Sequence, residues 1–364
     1  MKLLLITDAV GGVWIYSVEL ARGLKALGID TVLAVMGPSP TVEQREDARE
    51  FNLIDTGLPL DWLETSPAAM RRAGDDIAAI AEREGVDVVQ TCSSALLADA
   101  RFDRPCVAVQ HSCIASWWVA VKGTPLPYDF EWRRELVGCG LRRAAAVVAP
   151  TVAFAAATAR IYDVQVSAVL NGRRPAATAP VPQGDFVFTA SRLWDEGKNV
   201  ATLDLAAGKL GARFEAAGPT RGPNGARAEV RNICLLGEIR PARLSTLLGA
   251  RPIYASAALY EPFGLSVLEA AQAGCALILS DIPTHRELWD GAARFVPARD
   301  ALAFAGAMQA LLDNVDERIE LGRRARALAR TYAPERMARA MADIYARVTR
   351  PHHALVPKEL AGAA

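Results

Sequence analysis

Two doubly wound parallel α/β domains facing each other across a cleft are the architecture this sequence predicts. Three observations carry the prediction. Short apolar runs alternate with amphipathic stretches along nearly the whole chain. A Pro-, Ala- and Gly-rich break sorts those runs into two sets. The length, 364 residues, exceeds one ordinary domain. The runs are continuous rather than alternating, as strands covered by helices on both faces require, and strand–helix alternation points to parallel sheets.

In chain order, KLLLIT, TVLAVM, VDVVQT, CVAVQH and AAVVAP read as the buried strands of the first half. Helical stretches lie between them, among them residues 14–27 and 67–83. The longest apolar stretch, AAAVVAPTVAFAAATA from Ala144, contains Pro150 and so reads as a strand followed by a helix. VLNGRRPAATAPVPQGD, residues 169–185, is the break. It sets a first domain at 1–170, a linker at 171–184 and a second domain at 185–333. FVFTA, RFEAAG, ICLLG, PIYAS and ALILS are the strands of the second half. After Pro297 the pattern turns helical over 301–312, 316–330 and 334–347, with Pro334 suited to a first helical turn.

Composition excludes several classes of function. With 51% hydrophobic and 23% charged residues the chain has ample material for a core. Its formal net charge is zero, without the basic excess of a nucleic-acid binder. The six cysteines show no C-x-x-C spacing, and two of the four histidines, His352 and His353, lie near the tail, so reduced thiols and no structural metal are expected. MKLLLITDAVGG is too short an apolar run for a secretion signal, and no run reaches membrane-spanning length. The expectation is a cytoplasmic protein, with peripheral contact at the inner face of a membrane left open.

In doubly wound sheets, ligands bind beyond the carboxyl ends of the strands, so the loops there are where chemistry is sought. DAVGGVW follows the first strand; Gly11 and Gly12 open a helix near Val13, allowing close backbone approach and free N–H groups for an anion. There is no G-x-G-x-x-G and no acid after the second strand, which counts against a nicotinamide dinucleotide. His111 ends VQH at the carboxyl end of its strand. In ASRLWDEGKN, Arg192 follows FVFTA and Lys198 begins the next helix; the two form either a diphosphate clamp or a solvated loop paired with Asp195 and Glu196. In EPFGLSVLEAAQAG, Glu261 precedes a helix over 265–273 and Glu269 lies inside it, with the N–H groups of Phe263, Gly264 and Leu265 facing one point. A carboxylate among Ala, Val and Leu needs hydrogen-bond donors, which sugar hydroxyls supply; a salt bridge or a loop cap would also serve Glu269.

From GGVW through VQHSC, VLNG, SRLWDEGKN and LLGEI to YEPFGLSVLEAAQAGCALILSDIPTHRE, the chain resembles the GT-B glycosyltransferases, and within them glycosyltransferase family 4. That resemblance implies two Rossmann-like domains, the last helix (334–350) returning to the first, and retaining transfer from a nucleoside diphosphate sugar (UDP- or GDP-linked) to a hydroxyl acceptor without a metal cofactor. It implies that Glu261 contacts the donor sugar and Glu269 the ribose. Gly264 and Leu265 would donate to the diphosphate, which Arg192 and Lys198 neutralise. Ile239 would lie near the base, Gly11 and Gly12 would close over the phosphates, and His111 would touch the sugar near the reacting carbon. The family spacing puts the lysine five residues after the arginine, whereas Lys198 lies six after Arg192, and Gly197 is the candidate insertion. NGRRP stands where many relatives have NGVD, leaving the orientation of Arg173 and Arg174 open.

No Asp-x-Asp occurs, so the metal–diphosphate signature of the other main glycosyltransferase fold is missing. The alternatives are another activity of the same fold, a nucleotide-sugar epimerase or phosphorylase, or a non-catalytic binder. The acceptor, whether a sugar, a lipid-linked sugar or a small molecule, is not legible. SWWVAVKGTPLPYDFEW, with Trp117, Trp118, Tyr128 and Trp132, can stack on a sugar or touch lipid, or serve as core. Arg133, Arg134, Arg142 and Arg143 can rest on an anionic membrane or be solvated.

Overall fold

The computed structural model describes residues 1–176 and 181–350. The first domain carries β1 (Lys2–Asp8), α1 (Gly12–Lys25), β2 (Asp30–Met36), α2 (Val42–Asp47), β3 (Asn52–Asp55), α3 (Pro67–Glu84), β4 (Val88–Thr91), β5 (Cys106–Val109), α4 (Ile114–Val121), α5 (Tyr128–Arg143), β6 (Ala146–Ala149), α6 (Val152–Tyr162) and β7 (Ser167–Ala168). Its seven strands are all parallel, in the order β3-β2-β1-β4-β5-β6-β7.

The second domain carries β8 (Phe186–Ala190), α7 (Val200–Ala207), β9 (Arg213–Ala217), β10 (Cys234–Gly237), α8 (Pro241–Gly249), β11 (Ile253–Ser256), α9 (Leu265–Ala273), β12 (Ala276–Ser280), α10 (Pro283–Trp289), β13 (Ala293–Val296), α11 (Ala301–Asp313) and α12 (Val315–Ala329). Six parallel strands run β10-β9-β8-β11-β12-β13. The chain then enters α13 (Pro334–Thr349).

The apolar runs are continuous because each strand feeds two cores. Leu4 and Ile6 of β1 pack with Met70, Ala73 and Ile77 of α3. Leu3 and Leu5, pointing the other way, pack with Trp14 and Leu20 of α1. That second core also takes Met337, Ala338, Met341, Ile344 and Tyr345 of α13, so the last helix lies against the first sheet. Buried Gln90 of β4 is satisfied from the same helix: Tyr345 donates its hydroxyl to Gln90 Oε1.

Three strands add to the five read in each half: β3, β7 and β13. All lie at sheet edges. The residues of β3 and β7 are half-buried or exposed, and β13 is mostly half-buried. None therefore presents a continuous apolar run. The segment after β7 docks on the α12–α13 junction, with Gly172 N–H on Met337 Sδ at 3.3 Å and Arg173 N–H on Tyr332 O at 3.2 Å. Part of the expected linker (177–180) and the tail from 351, with His352 and His353, lie outside the described residues.

Candidate functional site

The carboxyl ends of both sheets face each other, and every residue named from the sequence sits on a loop or helix beyond a strand, with Glu269 about one turn into α9. In the second domain the loop after β8 and the loop after β11 meet. Lys198 Nζ donates to Glu261 Oε2 at 2.6 Å, with side chains only 15% and 12% exposed. The pair lines a small cavity with Thr189, Ser191, Tyr254 and Ser266. Lys198 does not open a helix as the sequence suggested. It ends a single short turn, residues 196–198, and α7 starts only at Val200. Asp195 makes the turn, accepting from Gly197 N–H at 2.9 Å.

Arg192 is directed toward Asp195 Oδ2 at 3.1 Å and lies 5.5 Å over the Trp194 ring. The solvated-loop pairing with Asp195 thus holds in part, while Glu196 pairs instead with Lys122 of the first domain.

Gly264, at φ 87°, is the N-cap of α9, and among the described residues no side chain caps that end. The helix start is therefore open to an anion. The Phe263 ring is buried against Tyr332, so only its backbone is offered to the cleft. Thr151 of the first domain donates to Pro262 O at 3.1 Å.

Gly11 has φ 88°, a conformation that suits glycine, and its position is where the domains approach. A Cβ there would lie 3.9 Å from Arg192 Cδ, and one on Gly12 would lie 3.6 Å from Leu265 Cδ1. The first-domain turn thus meets the cation and the helix start that the sequence had assigned to one ligand.

His111 lies two residues past the end of β5, rather than on the strand. Its ring packs edge-on to Tyr16 at 4.3 Å. Its Nε2 is buried without a hydrogen-bond partner among the described residues, and burial lowers its pKa to about 4. The imidazole is neutral at physiological pH.

Asp8, directly at the end of β1, is raised to about 6 by burial, partly offset by the Val10 N–H that it accepts at 2.7 Å and by the Arg192 charge. Asp61, in the loop after β3, accepts from Ser93 Oγ at 3.0 Å, and burial raises its pKa as well.

Glu269 does not stand free for a ribose. It is paired with Arg173 of the segment following β7, which answers where the first arginine of NGRRP points. Arg174 pairs with Glu19 at 3.1 Å. Arg173, Glu269, Gln272, Leu244 and Leu248 line a second cavity. Ile239, after β10, is half-buried against the core of this domain.

The aromatic segment is used internally. Trp117 reaches the second domain, Trp118 packs on Phe130 at 5.6 Å, and Trp132 lies under Arg133. Tyr128 is exposed. Arg133 donates to Asp61 O and Glu64 O, Arg134 pairs with Glu131, Arg142 approaches Cys139 Sγ, and Arg143 donates to Ala100 O. Among the described residues no cluster of three or more His, Cys, Asp or Glu is arranged to hold a metal ion, and no helix is long and apolar enough to cross a membrane.

Asp8, Asp61 and His285 escaped the sequence reading. Asp8 had a signal, its place at a strand's carboxyl end. His285 is fully buried, with Nδ1 on Ser280 O at 3.0 Å, and the Glu261 and Lys198 charges act on it. Only tertiary packing brings it there.

Residues 10–175 match the family model Glycosyltransferase Family 4, and residues 227–328 match Glycosyl transferases group 1. No curated protein matches the chain. Among solved structures, sucrose-phosphate synthase from Thermosynechococcus elongatus superposes with a TM-score of 0.78 at 19% identity, over 95% of this chain and 98% of that one. A glycosyltransferase from Rickettsia africae gives 0.71 at 18%, over 96% and 99%. Anabaena HepE, solved in complex with UDP-glucose, gives 0.73 at 16%, over 95% and 100%. At such identities the likeness shows a shared fold, two facing Rossmann-like domains.

Proposed function

We propose, from the premise that the chain belongs to the GT-B glycosyltransferases, that it moves a hexose from a UDP- or GDP-linked donor to a hydroxyl acceptor with retention of configuration. The observation that carries this reading is the Lys198–Glu261 pair, set between the open N-terminus of α9 and the Gly11–Gly12 turn. That Anabaena HepE was solved with UDP-glucose supports a nucleotide-sugar donor.

Breaking the anomeric C–O bond leaves negative charge on the diphosphate and positive charge on the sugar. Lys198, Arg192 and the α9 N-terminus answer the first charge, so the scheme calls on no metal. Glu261 accepts from hydroxyls of the donor sugar once the diphosphate takes over Lys198. Glu269 serves the ribose in the same way once Arg173 releases it.

His111, held neutral by burial, adds no positive charge beside the developing cation. The leaving phosphate oxygen takes the acceptor's proton on the face from which the acceptor attacks. The C–O bond to the acceptor forms as the C–O bond to phosphate breaks.

A thermal-shift panel of UDP, GDP and ADP, followed by hydrolysis of the matching sugar nucleotides, tests the reading. The expected result is stabilisation by one uridine or guanosine diphosphate, with turnover that Glu261→Ala abolishes while the protein stays folded. Stabilisation by none of them, or unchanged turnover in Glu261→Ala, refutes it. Release of sugar 1-phosphate on adding orthophosphate would assign the site to a phosphorylase.

A further inference from the structure

The segment following His111 is aimed at the second domain. Ser112 Oγ accepts from the Tyr260 hydroxyl at 3.2 Å, and Ser116 of α4 shares that hydroxyl at 2.7 Å. At the next residue, Trp117 Nε1 donates to Asp195 Oδ1 at 3.0 Å. Arg299 donates to Val121 O at 2.9 Å, and Lys122 pairs with Glu196.

Most of these contacts land beside a residue of the proposed site. Tyr260 immediately precedes Glu261, and Ser112 immediately follows His111. Asp195 and Glu196 lie between Arg192 and Lys198. Asp195 also accepts from Gly197 N–H and interacts with Arg192, so the Trp117 indole joins a carboxylate that already shapes the cation loop.

Gly197 is the candidate insertion behind the six-residue spacing. Its carbonyl accepts from Leu259 N–H at 2.8 Å and Tyr260 N–H at 3.3 Å, tying the cation loop to the Glu261 loop. A Cβ on it would lie 2.8 Å from Trp117 Nε1 and 3.1 Å from Asp195 Oδ1. No side chain fits there while the indole is seated. Gly197 is thus the residue that lets the first domain touch this junction.

Domains joined by modest polar contacts move relative to each other by default. Transfer needs His111 of one domain and the cations of the other aligned to within a fraction of an ångström. We propose that Trp117 and Tyr260 are positioning residues: their polar contacts across the cleft register the His111 loop against the Arg192–Lys198 and Glu261 loops when the domains close. This rests on the transferase reading above.

The test compares wild type, Trp117→Phe, Tyr260→Phe and the double variant. Both substitutions keep a ring and remove one polar group. Hydrolysis of UDP-glucose or GDP-mannose, whichever the wild type turns over, gives kcat and KM. Calorimetry gives nucleotide affinity and Tm, and small-angle scattering with saturating nucleotide gives compactness. Each single variant is expected to lose on the order of tenfold in kcat. Nucleotide affinity and Tm should stay near wild type, and the nucleotide-bound double variant should be more expanded.

A double variant with wild-type kcat and wild-type compactness overturns the inference and leaves the transferase reading standing. A loss of kcat matched by equal losses of nucleotide affinity and Tm also overturns it, because that is the signature of a merely structural role. If the wild type turns over neither donor, the transferase reading fails, and compactness alone still decides whether these contacts hold the domains closed.

Discussion

Glu261→Gln isolates the central ion pair. The substitution keeps the shape of the side chain and an acceptor for Lys198, but removes the charge that neutralises a lysine only 15% exposed. Removing one member of a buried pair costs about 3–5 kcal/mol, and the retained acceptor puts this case at the lower end, about 3 kcal/mol. For a domain of this size that is a fall of about 6–12 °C in the transition of the second domain.

Nucleotide should reverse much of the loss. A diphosphate supplies Lys198 with a new anion and no longer meets the repulsion of Glu261. If it recovers most of 3 kcal/mol, UDP or GDP binds the variant up to about 100-fold more tightly than wild type. Sugar transfer is nevertheless lost, because the acceptor of the sugar hydroxyls has gone. Calorimetry with and without nucleotide reads both effects. A variant with wild-type Tm, or one that binds nucleotide no more tightly than wild type, refutes the assignment of Lys198 to the diphosphate.

Three further outcomes follow from the site. Asp8 is raised from 3.8 to about 6 in the folded protein. The folded state therefore binds the proton more tightly, and wild type loses stability relative to Asp8→Asn as pH rises from about 4 to 6. The gap should level off above pH 6 at no more than about 3 kcal/mol, since Asp8 is only half-buried; a pH-independent gap in chemical denaturation counts against it. Arg173→Gln should bind UDP or GDP more tightly by titration calorimetry, because it frees Glu269 for the ribose; equal or weaker binding would show that the two do not compete. Tyr345→Phe leaves buried Gln90 Oε1 without its donor and should cost about 1–3 kcal/mol, with a Tm fall that measures how firmly α13 closes the first domain's core.

The fold was readable wherever a strand is covered on both faces. KLLLIT and ALILS are buried almost end to end and announce themselves by composition alone. Strands β3, β7 and β13 were not, because an edge strand is half-wet and Asn52 and Asp55 break any apolar run. The candidate site residues gather at strand ends: Gly11, His111, Arg192 and Glu261 lie in the loops where a parallel sheet opens, and Gly12 begins α1.

Pairing was not legible. Glu269 with Arg173, Trp117 with Asp195 and Lys198 with Glu261 are separated by 96, 78 and 63 residues, and no local pattern encodes contacts of that range. The sequence could flag the long Arg192–Lys198 spacing as an anomaly. Only the neighbouring indole shows what Gly197 makes room for.

The return of α13 to the first sheet also bears on how the chain folds as it is made. Met337, Ala338, Met341, Ile344 and Tyr345 complete a core whose other buried members lie between Leu3 and Val148. The ribosome must synthesise the whole second domain before that core can close. The nascent first domain therefore waits with part of one face of its sheet and of α1 uncovered, at an elongation rate of roughly 5–20 residues per second. A chaperone that shields this face during synthesis would have the surface of α1, β1 and β4 to hold, and would be displaced by the chain's own last helix.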